Sequence, residues 1–186
     1  INGELKMEKG ELKMVNGEWL MVNEQTKDNL PFTTNHLPLI KVQWKTLGEV
    51  TLPTTNIKWR ETTKPYRYID LTSVCRDRNT ILETTEINAE NAPSRAQKLV
   101  LINDVLFATT RPTQMRYCLI TEEYADEVAS TGYCVLRAKQ TEVLPKWILH
   151  WISSFEFKTY LEENQSGSAY PAISDTKLKE FLIPIP

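Results

Sequence analysis

The sequence predicts a series of short β-strands followed by one long amphipathic helix near residues 145–163, which is an α+β arrangement. The stretches Lys98–Thr109 and Tyr133–Ala138 are rich in the apolar and β-branched residues that favour strands. From Pro145 onward the apolar residues recur with a helical period. The change of period separates a strand-rich first part of the chain from a helical part.

A tandem seven-residue repeat occupies residues 3–23 as GELKMEK, GELKMVN and GEWLMVN. A glycine at every seventh position weakens a helix, and the Leu/Met alternation suits short hairpin strands. Three units this similar are also what a duplicated short DNA sequence would encode. We interpret residues 1–38 as a low-complexity extension and linker, and residues 41–186 as the folded domain.

The first part of the domain reads as strands separated by a loop. The stretch VQWKTLGEV at residues 42–50 is expected to form a strand or short helix that ends in a turn. Residues 51–65 are rich in Thr, Pro and charge, which is typical of an exposed loop. The stretch RYIDLTSV then predicts a strand that offers Tyr68, Leu71 and Val74 to packing.

The middle of the domain alternates polar and apolar stretches. Residues 75–95 are polar and are interpreted as a long surface excursion. Residues 98–109 predict two core strands around a turn at Asn103-Asp104. Residues 121–128 are acidic and indicate a short helix or turn, and Gly132 then permits a tight bend before the strand YCVLRA.

The helix that begins at Pro145, a residue favoured at the first helical position, carries a stripe of large apolar side chains. We expect this stripe to be core rather than binding surface. Its members are Trp147, Ile148, Trp151, Ile152, Phe155 and Tyr160.

The last twenty residues, GSAYPAISDTKLKEFLIPIP, predict a helix end, a short helical turn and an edge strand. Gly167 can adopt a positive φ, and Ser174 is placed to cap a turn whose Leu178 and Phe181 face inward. The prolines of the final LIPIP have no amide hydrogen, so this strand suits a sheet edge.

Composition bounds the class of protein. At 186 residues, with 41% hydrophobic and 25% charged residues, the chain suits one globular domain with a small appendage. No apolar run approaches a membrane span, and the N-terminus lacks the apolar core of a signal peptide. We therefore expect a cytoplasmic protein without membrane contact. Cys75, Cys118 and Cys134 have no metal-ligand spacing and are expected to be reduced thiols.

No catalytic motif is recognisable. Asp104 with Glu156 and Lys158 crudely imitates the metal site of restriction nucleases, but Glu156 and Lys158 lie two residues apart on the predicted helix and diverge. Ser130 and Ser166 precede glycines without any motif that would position a base. We expect no catalysis by this chain.

The net charge of −2 does not indicate a nucleic-acid binder, but the charge is uneven. The segment Lys58–Arg78 holds six basic and three acidic residues. A protein that shares DNA contact with partners can rely on such a local positive region.

Five stretches together carry a family resemblance. They are WKTLGEV at 44–50, YRYIDLTSV at 66–74, NDVLFATTRP at 103–112, STGYCVLRA at 130–138 and the ending G-S-A-Y-P-x-I-S with I-P-x-P. In this order they resemble the target-recognition domain of the DNA-specificity (S) subunit of type I restriction-modification enzymes. The resemblance covers roughly residues 44–186.

The resemblance implies a compact α+β target-recognition domain with a twisted, mostly antiparallel sheet and no catalytic residues. Such a domain reads one half of a bipartite site in double-stranded DNA. Its partners are methyltransferase (M) subunits, which flip and methylate adenine with S-adenosylmethionine, and a restriction (R) subunit that can join. S-adenosylmethionine, Mg and ATP then belong to partner subunits, and no cofactor to this chain.

The chain has room for only one such domain. It is therefore interpreted as a half subunit, a shortened piece of a longer chain, or the C-terminal specificity domain of a fused methyltransferase. A metal-dependent restriction nuclease domain and a general protein-interaction domain remain alternatives from other classes.

Base recognition in the major groove needs the planar guanidinium of arginine and the side-chain amide of glutamine or asparagine. These groups must be held on a rigid scaffold and surrounded by phosphate contacts. We assign Arg111, Gln114 and Arg116 to bases, and Arg76 and Arg78 to phosphates. The complete set of predicted DNA-binding residues is Lys64, Tyr66, Arg67, Arg76, Arg78, Arg95, Lys98, Arg111, Gln114, Arg116, Tyr117 and Tyr170.

Overall fold

The computed structural model describes residues 11–15, 18–22 and 42–185, and the chain divides into two compact units, Ile1–Ile40 and Lys41–Pro186. In the first unit, strands β1 (Glu11–Val15) and β2 (Glu18–Val22) pair antiparallel. This pairing is the one that the Leu/Met alternation suits. The predicted linker at residues 24–38 lies outside the described residues.

The second unit is built from short strands and three α-helices. The strands are β3 (Gln43–Thr46), β4 (Thr51–Leu52), β5 (Tyr66–Ile69), β6 (Val74–Cys75), β7 (Thr80–Ile81), β8 (Thr85–Ile87), β9 (Ala96–Leu99), β10 (Val105–Ala108), β11 (Tyr117–Leu119), β12 (Val128–Ser130), β13 (Tyr133–Ala138) and β14 (Leu182–Ile185). The helices are α1 (Pro145–Ile152), α2 (Phe155–Asn164) and α3 (Asp175–Lys179).

Two four-stranded sheets form the centre of this unit. The first has the strand order β11-β10-β13-β4 with every pair antiparallel. The second has the order β8-β5-β12-β9, in which β5 and β12 are parallel and the other pairs antiparallel. The unit also contains two two-stranded antiparallel ribbons, β3 with β14 and β6 with β7. The expected α+β class with mostly antiparallel strands is confirmed.

The alternation of side chains along β10 determines the layers. Val105 and Phe107 face the helices, whereas Leu106 and Ala108 face the second sheet, because successive strand residues point to opposite faces. On the helix side the core also contains Ile148 of α1. The first sheet is therefore a middle layer, with helices on one face and a second sheet on the other.

The structure has two helices where the sequence predicted one long helix at 145–163. Ser153 Oγ donates to the carbonyl of His150 at 2.7 Å, and Ser154 Oγ accepts from the amide of Phe157 at 3.1 Å. The first bond closes α1 and the second caps α2, because serine side chains satisfy the free backbone groups of helix ends. The stripe is divided accordingly: Ile148 and Ile152 are fully buried, but Phe155 is 77% exposed.

The two strands predicted within 98–109 do not pair with each other. The turn at Asn103-Asp104 is present, and Asn103 has a φ of 68°. However, β9 belongs to the second sheet and β10 to the first, so the turn joins two layers. The polar stretch 75–95 likewise contributes strands: it completes the β6–β7 ribbon and supplies the edge strand β8.

The C-terminal segment closes the domain as predicted. Ser174 Oγ accepts from the amide of Lys177 at 3.1 Å and caps α3, and Leu178 is fully buried. The last strand, β14, pairs antiparallel with β3 at the start of the domain. Within the described residues, no helix is both long and apolar enough to cross a bilayer.

Candidate nucleic-acid interface

A 3-10 helix at Pro112–Gln114 lies at the centre of the candidate site. Left-handed residues stand on both sides of it, Arg111 with φ 49° and Met115 with φ 52°. A non-glycine residue in this conformation costs about 1–2 kcal/mol. Backbone hydrogen bonds hold the strained turn: the Arg111 amide donates to Pro171 at 2.7 Å, and the Gln114 amide donates to Arg111 at 3.0 Å.

Five of the predicted DNA-binding residues meet beside this turn. We call this hollow the arginine concavity; its predicted residues are Arg95, Arg111, Gln114, Arg116 and Tyr170. Leu71, Thr72, Ala108 and Thr110 complete a lining that contains no carboxylate. The hollow encloses about 450 Å³. It therefore brings three guanidinium groups, one side-chain amide and one tyrosine ring together on a surface without carboxylates.

Tyr170 reaches the arginine concavity on a tight loop formed by residues 166–172. Paired backbone hydrogen bonds between Ser166 and Ala172 close this loop, and Gly167 within it has a φ of 89°. A Cβ at Gly167 would lie 2.9 Å from the carbonyl oxygen of Tyr170, so the turn requires glycine. The Arg111 guanidinium lies over the Tyr170 ring at 5.7 Å, a cation–π contact between two exposed side chains.

Arg116 forms part of the floor of the concavity rather than its rim. Its Nη1 donates to the carbonyl of Leu71, an oxygen that also accepts from the Tyr133 hydroxyl at 3.4 Å. Leu71 in turn lies against Gly132, where a Cβ would stand 2.9 Å from Leu71 Cδ1. Burial raises the pKa of Tyr133, which stays a neutral donor. Arg116 and Tyr133 therefore fix the Leu71 turn, and the Leu71 side chain packs closely on Gly132.

A second hollow begins on the other side of Gln114. We call it the Phe155 concavity; it is lined by Arg76, Asn79, Gln114, Met115, Tyr117, Ser153, Ser154, Phe155 and Lys158. It also encloses about 450 Å³ and has no carboxylate in its lining. Gln114 lines both hollows, which therefore adjoin one another. The second hollow adds two further predicted residues, Arg76 and Tyr117.

Tyr117 contributes through its position on β11. Its ring stacks on Phe107 with centroids 6.4 Å apart, so the ring packs mainly against the core between the first sheet and the helices. Arg78 is exposed but lines neither hollow.

Four further predicted residues, Lys64, Tyr66, Arg67 and Lys98, also line neither concavity. Lys64 stands over the Tyr66 ring at 4.9 Å, and both belong to the segment that enters β5. Arg67 binds Glu127 at 3.1 Å and lies over the Tyr124 ring.

Lys98 is largely occupied within the protein. Its ammonium binds Asp175 at 2.9 Å, and its side chain is only 18% exposed. This ion pair joins β9 to the first residue of α3. Like Arg67, Lys98 has a carboxylate partner already in place, which reduces its attraction for phosphate.

The nuclease alternative fails at Asp104. Arg137 donates to both carboxylate oxygens, at 2.9 and 2.7 Å, and the Leu101 amide donates to one of them at 2.8 Å. These three bonds occupy most of the acceptor sites of a carboxylate that is 1% exposed, and its charge is already paired with Arg137, so it is poorly placed to bind a metal. Among the described residues, no group of three or more His, Cys, Asp or Glu side chains could hold a metal ion.

The cysteines lie apart from this surface chemistry. All three are free, and Cys118 and Cys134 are buried in the core. Burial raises the pKa of Cys118 and of Cys134 to about 12, because a thiolate is poorly solvated there. Cys75 is half-buried.

Sequence reasoning missed several lining residues, among them Phe155 and Lys158. It assigned Phe155 to the core stripe and tested Lys158 only as part of a nuclease motif. The signal for both was the Ser153-Ser154 pair, since adjacent serines inside an apolar helical stretch favour a helix end and a new N-cap. A helix break at these serines removes Phe155 from the apolar stripe expected of one continuous helix.

Comparisons with known proteins agree on one family. The family described as "Type I restriction modification DNA specificity domain" matches residues 41–186. The type I restriction enzyme HindI specificity subunit of Haemophilus influenzae is 26% identical over 111 residues, which are 58% of this chain.

Two solved structures are similar in fold as well as sequence. The HsdS subunit from Thermoanaerobacter tengcongensis is 31% identical with a TM-score of 0.72 over 82% of this chain. A chain from a study of complex assembly and conformational transition of the type I R-M system is 33% identical with a TM-score of 0.74 over 81%. The matched region spans 24% of the Haemophilus subunit, and 40% and 39% of the two solved chains.

Proposed function

Since the chain belongs to the type I restriction-modification DNA specificity domain family, we propose that the arginine and Phe155 concavities are the surface with which it reads double-stranded DNA. The observation that carries the proposal is the convergence of Arg95, Arg111, Gln114 and Tyr170 on one lining without a carboxylate. These residues come from three separate segments of the chain, around positions 95, 111–114 and 170, so their meeting is a property of the fold. A DNA specificity domain needs such a surface.

The residue types divide between bases and backbone. Arg111 and Gln114 lie on a strained, hydrogen-bonded turn, and a rigid mount is what bidentate contacts to guanine or adenine require. Arg95 and Arg76 line the two hollows from outside this turn and are assigned to phosphates. Exposed Arg78 is assigned to phosphates as well.

The remaining predicted residues take lesser parts in the proposal. Arg116 positions the Leu71 turn under the concavity. Lys64 and Tyr66 are offered as contacts with DNA flanking the target, since Lys64 is exposed and the pair lies near the start of β5. Arg67, Lys98 and Tyr117 support the scaffold through the contacts already described.

The chain spans less than half of the relatives that it matches, so its place in a larger protein is also a proposal. As a specificity domain it is a recognition module rather than a catalytic one. We propose that it reads one half of a bipartite target for a methyltransferase subunit that holds S-adenosylmethionine. A restriction subunit that uses Mg and ATP would join the same assembly, which we place in the cytoplasm.

The full chain can be tested directly for sequence preference. It is incubated with a pool of duplexes that carry a randomised central segment, and the retained duplexes are sequenced. We expect one short motif to be enriched over several rounds. Retention of DNA without any enriched motif would show a charge-driven binder and contradict the proposal.

The assembly is tested separately. Copurification of the chain with its methyltransferase subunit, followed by sequencing of methylated adenines, should give a bipartite motif of which one half matches the motif selected by the chain alone. Methylation that ignores the selected motif would exclude this chain as the reader.

A further inference from the structure

Phe155 is a large aromatic side chain that the fold leaves in solvent. It begins α2 and is 77% exposed, whereas Phe157 on the same helix is fully buried and packs edge-on against Phe107 and Phe181. A phenylalanine ring in water forgoes the stabilisation that burial would give it. The folding of the described domain therefore gives no reason for an aromatic residue at this position.

The backbone at Phe155 is nevertheless held firmly. Ser154 caps α2 through its bond from the Phe157 amide, and Ser153 closes α1 through its bond to the His150 carbonyl. These bonds fix the direction in which α2 begins and therefore where the Phe155 ring is presented. A rigidly mounted, exposed aromatic ring is suited to contact a partner at little cost in conformational entropy.

The surroundings of the ring indicate the partner. The Phe155 concavity contains the cationic side chains of Arg76 and Lys158 and no carboxylate. Their contacts with neighbouring carboxylates are long, 3.9 Å from Arg76 to Asp77 and 3.9 Å from Lys158 to Glu162, and all four side chains are exposed to solvent. Such pairs neutralise little charge, so the hollow attracts an anion.

Gln114 links this ring to the surface proposed for base reading. Gln114 lines both concavities, and among the described residues its side-chain amide, unlike its backbone amide, has no hydrogen-bond partner. Glutamine pairs with the major-groove edge of adenine through two hydrogen bonds, and the thymine methyl is the apolar group on that edge of an A·T pair.

We propose that Phe155 is a specificity-determining residue that packs against a thymine methyl group in the major groove, at or beside the A·T pair that Gln114 contacts. This inference rests on the proposed function. It adds an apolar contact to a site so far described by its polar groups, and it assigns a role to a residue that the sequence pattern placed in the core.

The test uses the full chain, the duplex that it selects from the randomised pool, and the same duplex with uracil in place of thymine at one position at a time. Uracil lacks the methyl group and keeps the base pair. For the parent, we expect uracil at one position to weaken binding about four-fold, the effect of one buried methyl group. For Phe155→Ala, we expect an equal or larger loss on the thymine duplex and no further loss with uracil.

The matched control is Leu144→Ala. Leu144 is 68% exposed and immediately precedes α1, as Phe155 begins α2, but it lines neither concavity. This variant should keep the parent's affinity and its uracil penalty. Both variants should melt at the parent's temperature, because neither side chain is buried.

The outcomes separate this inference from the proposed function. If the parent selects a motif and Arg111→Ala relaxes the preference at one position of it, but Phe155→Ala retains the same uracil penalty as the parent, only the Phe155 contact is wrong. A second outcome is the absence of a uracil penalty together with a rise in 2-aminopurine fluorescence when the selected duplex binds the parent but not Phe155→Ala. The Phe155 ring would then insert between bases, and the methyl contact would be overturned. If the parent selects no motif, both proposals fail.

Discussion

Arg137 on β13 binds both carboxylate oxygens of Asp104, with Nε 2.9 Å from one and Nη2 2.7 Å from the other. Asp104 is 1% exposed and lies in the turn between β9 and β10, which belong to different sheets. Arg137 also donates to the carbonyl of Leu99 at 3.4 Å. The ion pair therefore ties the turn that joins the two sheets to the central strand beside it.

Replacing Asp104 by Ala should destabilise the domain strongly. The change leaves the Arg137 guanidinium without its partner and removes the acceptor of the Leu101 amide. We expect the free energy of unfolding to fall by about 3–5 kcal/mol, the usual cost of breaking a buried pair on one side. Urea unfolding followed by far-UV circular dichroism measures this. A double replacement, Asp104→Leu with Arg137→Met, should recover much of the loss, and a single variant as stable as the parent would contradict the role of the pair.

Replacing Arg111 by Ala should relax the sequence preference at one position of the target. A bidentate arginine–guanine contact discriminates by about 1–3 kcal/mol, and Arg111 is held in place by the strained turn. Binding to the selected duplex and to a set of single mismatches gives the discrimination at each position. Unchanged discrimination would move base reading away from the Pro112–Gln114 turn.

Arg116→Ala is the informative contrast, because the guanidinium of Arg116 donates to the Leu71 carbonyl within the protein. This variant should melt below the parent and lose affinity for all duplexes in parallel. A variant of normal stability with relaxed preference at one position would instead make Arg116 a base reader, as the sequence alone suggested.

Replacing Arg76 or Arg78 by Ala should weaken binding to every sequence alike. Each lost phosphate contact releases one counterion fewer, so the slope of log affinity against log salt should shrink by about 0.9 per variant. A titration over salt concentration measures the slope. Lys146→Ala, an exposed cation on α1 that lines neither concavity, should leave it unchanged. An altered base preference in the Arg76 variant would contradict its assignment to phosphate.

The buried thiols predict a specific pH dependence of stability. Burial raises the pKa of Cys118 and Cys134 to about 12 from the usual 9.0, so the folded state keeps protons that the unfolded state releases. Their contribution to stability is complete below about pH 9 and is lost as the pH rises from there towards 12. Chemical unfolding across this range measures the loss, and Cys118→Ser with Cys134→Ala should flatten that part of the profile.

The same burial predicts which thiols react. At pH 8 a thiol reagent should label half-buried Cys75 in the folded protein and leave Cys118 and Cys134 unlabelled until urea is added. Mass spectrometry of the labelled peptides identifies the sites. Rapid labelling of Cys118 in the folded state would show that the core opens there.

Deleting residues 1–25 should leave the domain at 41–186 almost as stable as in the full chain. The deletion removes the repeat, which belongs to the separate unit Ile1–Ile40. We expect the free energy of unfolding to change by no more than about 1 kcal/mol, in the range of peripheral changes. Collapse of the fold in this variant would mean that the repeat is part of the domain.

The features that the sequence determined by itself are local ones. Pro145 begins a helix, Ser174 caps one, and Gly167 adopts a positive φ, because each depends on a residue's own backbone preferences and on partners three or four positions away. The continuous apolar run at residues 105–108 likewise predicted a core strand. The five short stretches in order carried the family resemblance, because the set is far more specific than any one stretch alone.

The tertiary structure alone decided how these pieces combine. No local pattern states that β9 and β10 enter different sheets, because strand pairing is a contact between distant segments. The fate of each arginine was equally non-local: Arg111 meets Tyr170, Arg116 meets Leu71, and Arg67 meets Glu127.

Twelve residues were predicted to bind DNA from their chemistry, and only the fold separates those that share a carboxylate-free surface from those already held by the protein's own acceptors. The helical period placed Phe155 in the core because it assumed one continuous helix. Two serine hydrogen bonds ended that helix and turned the ring towards solvent. A side chain's partners are determined by packing across the whole chain, and its type determines only what it can do once they are in place.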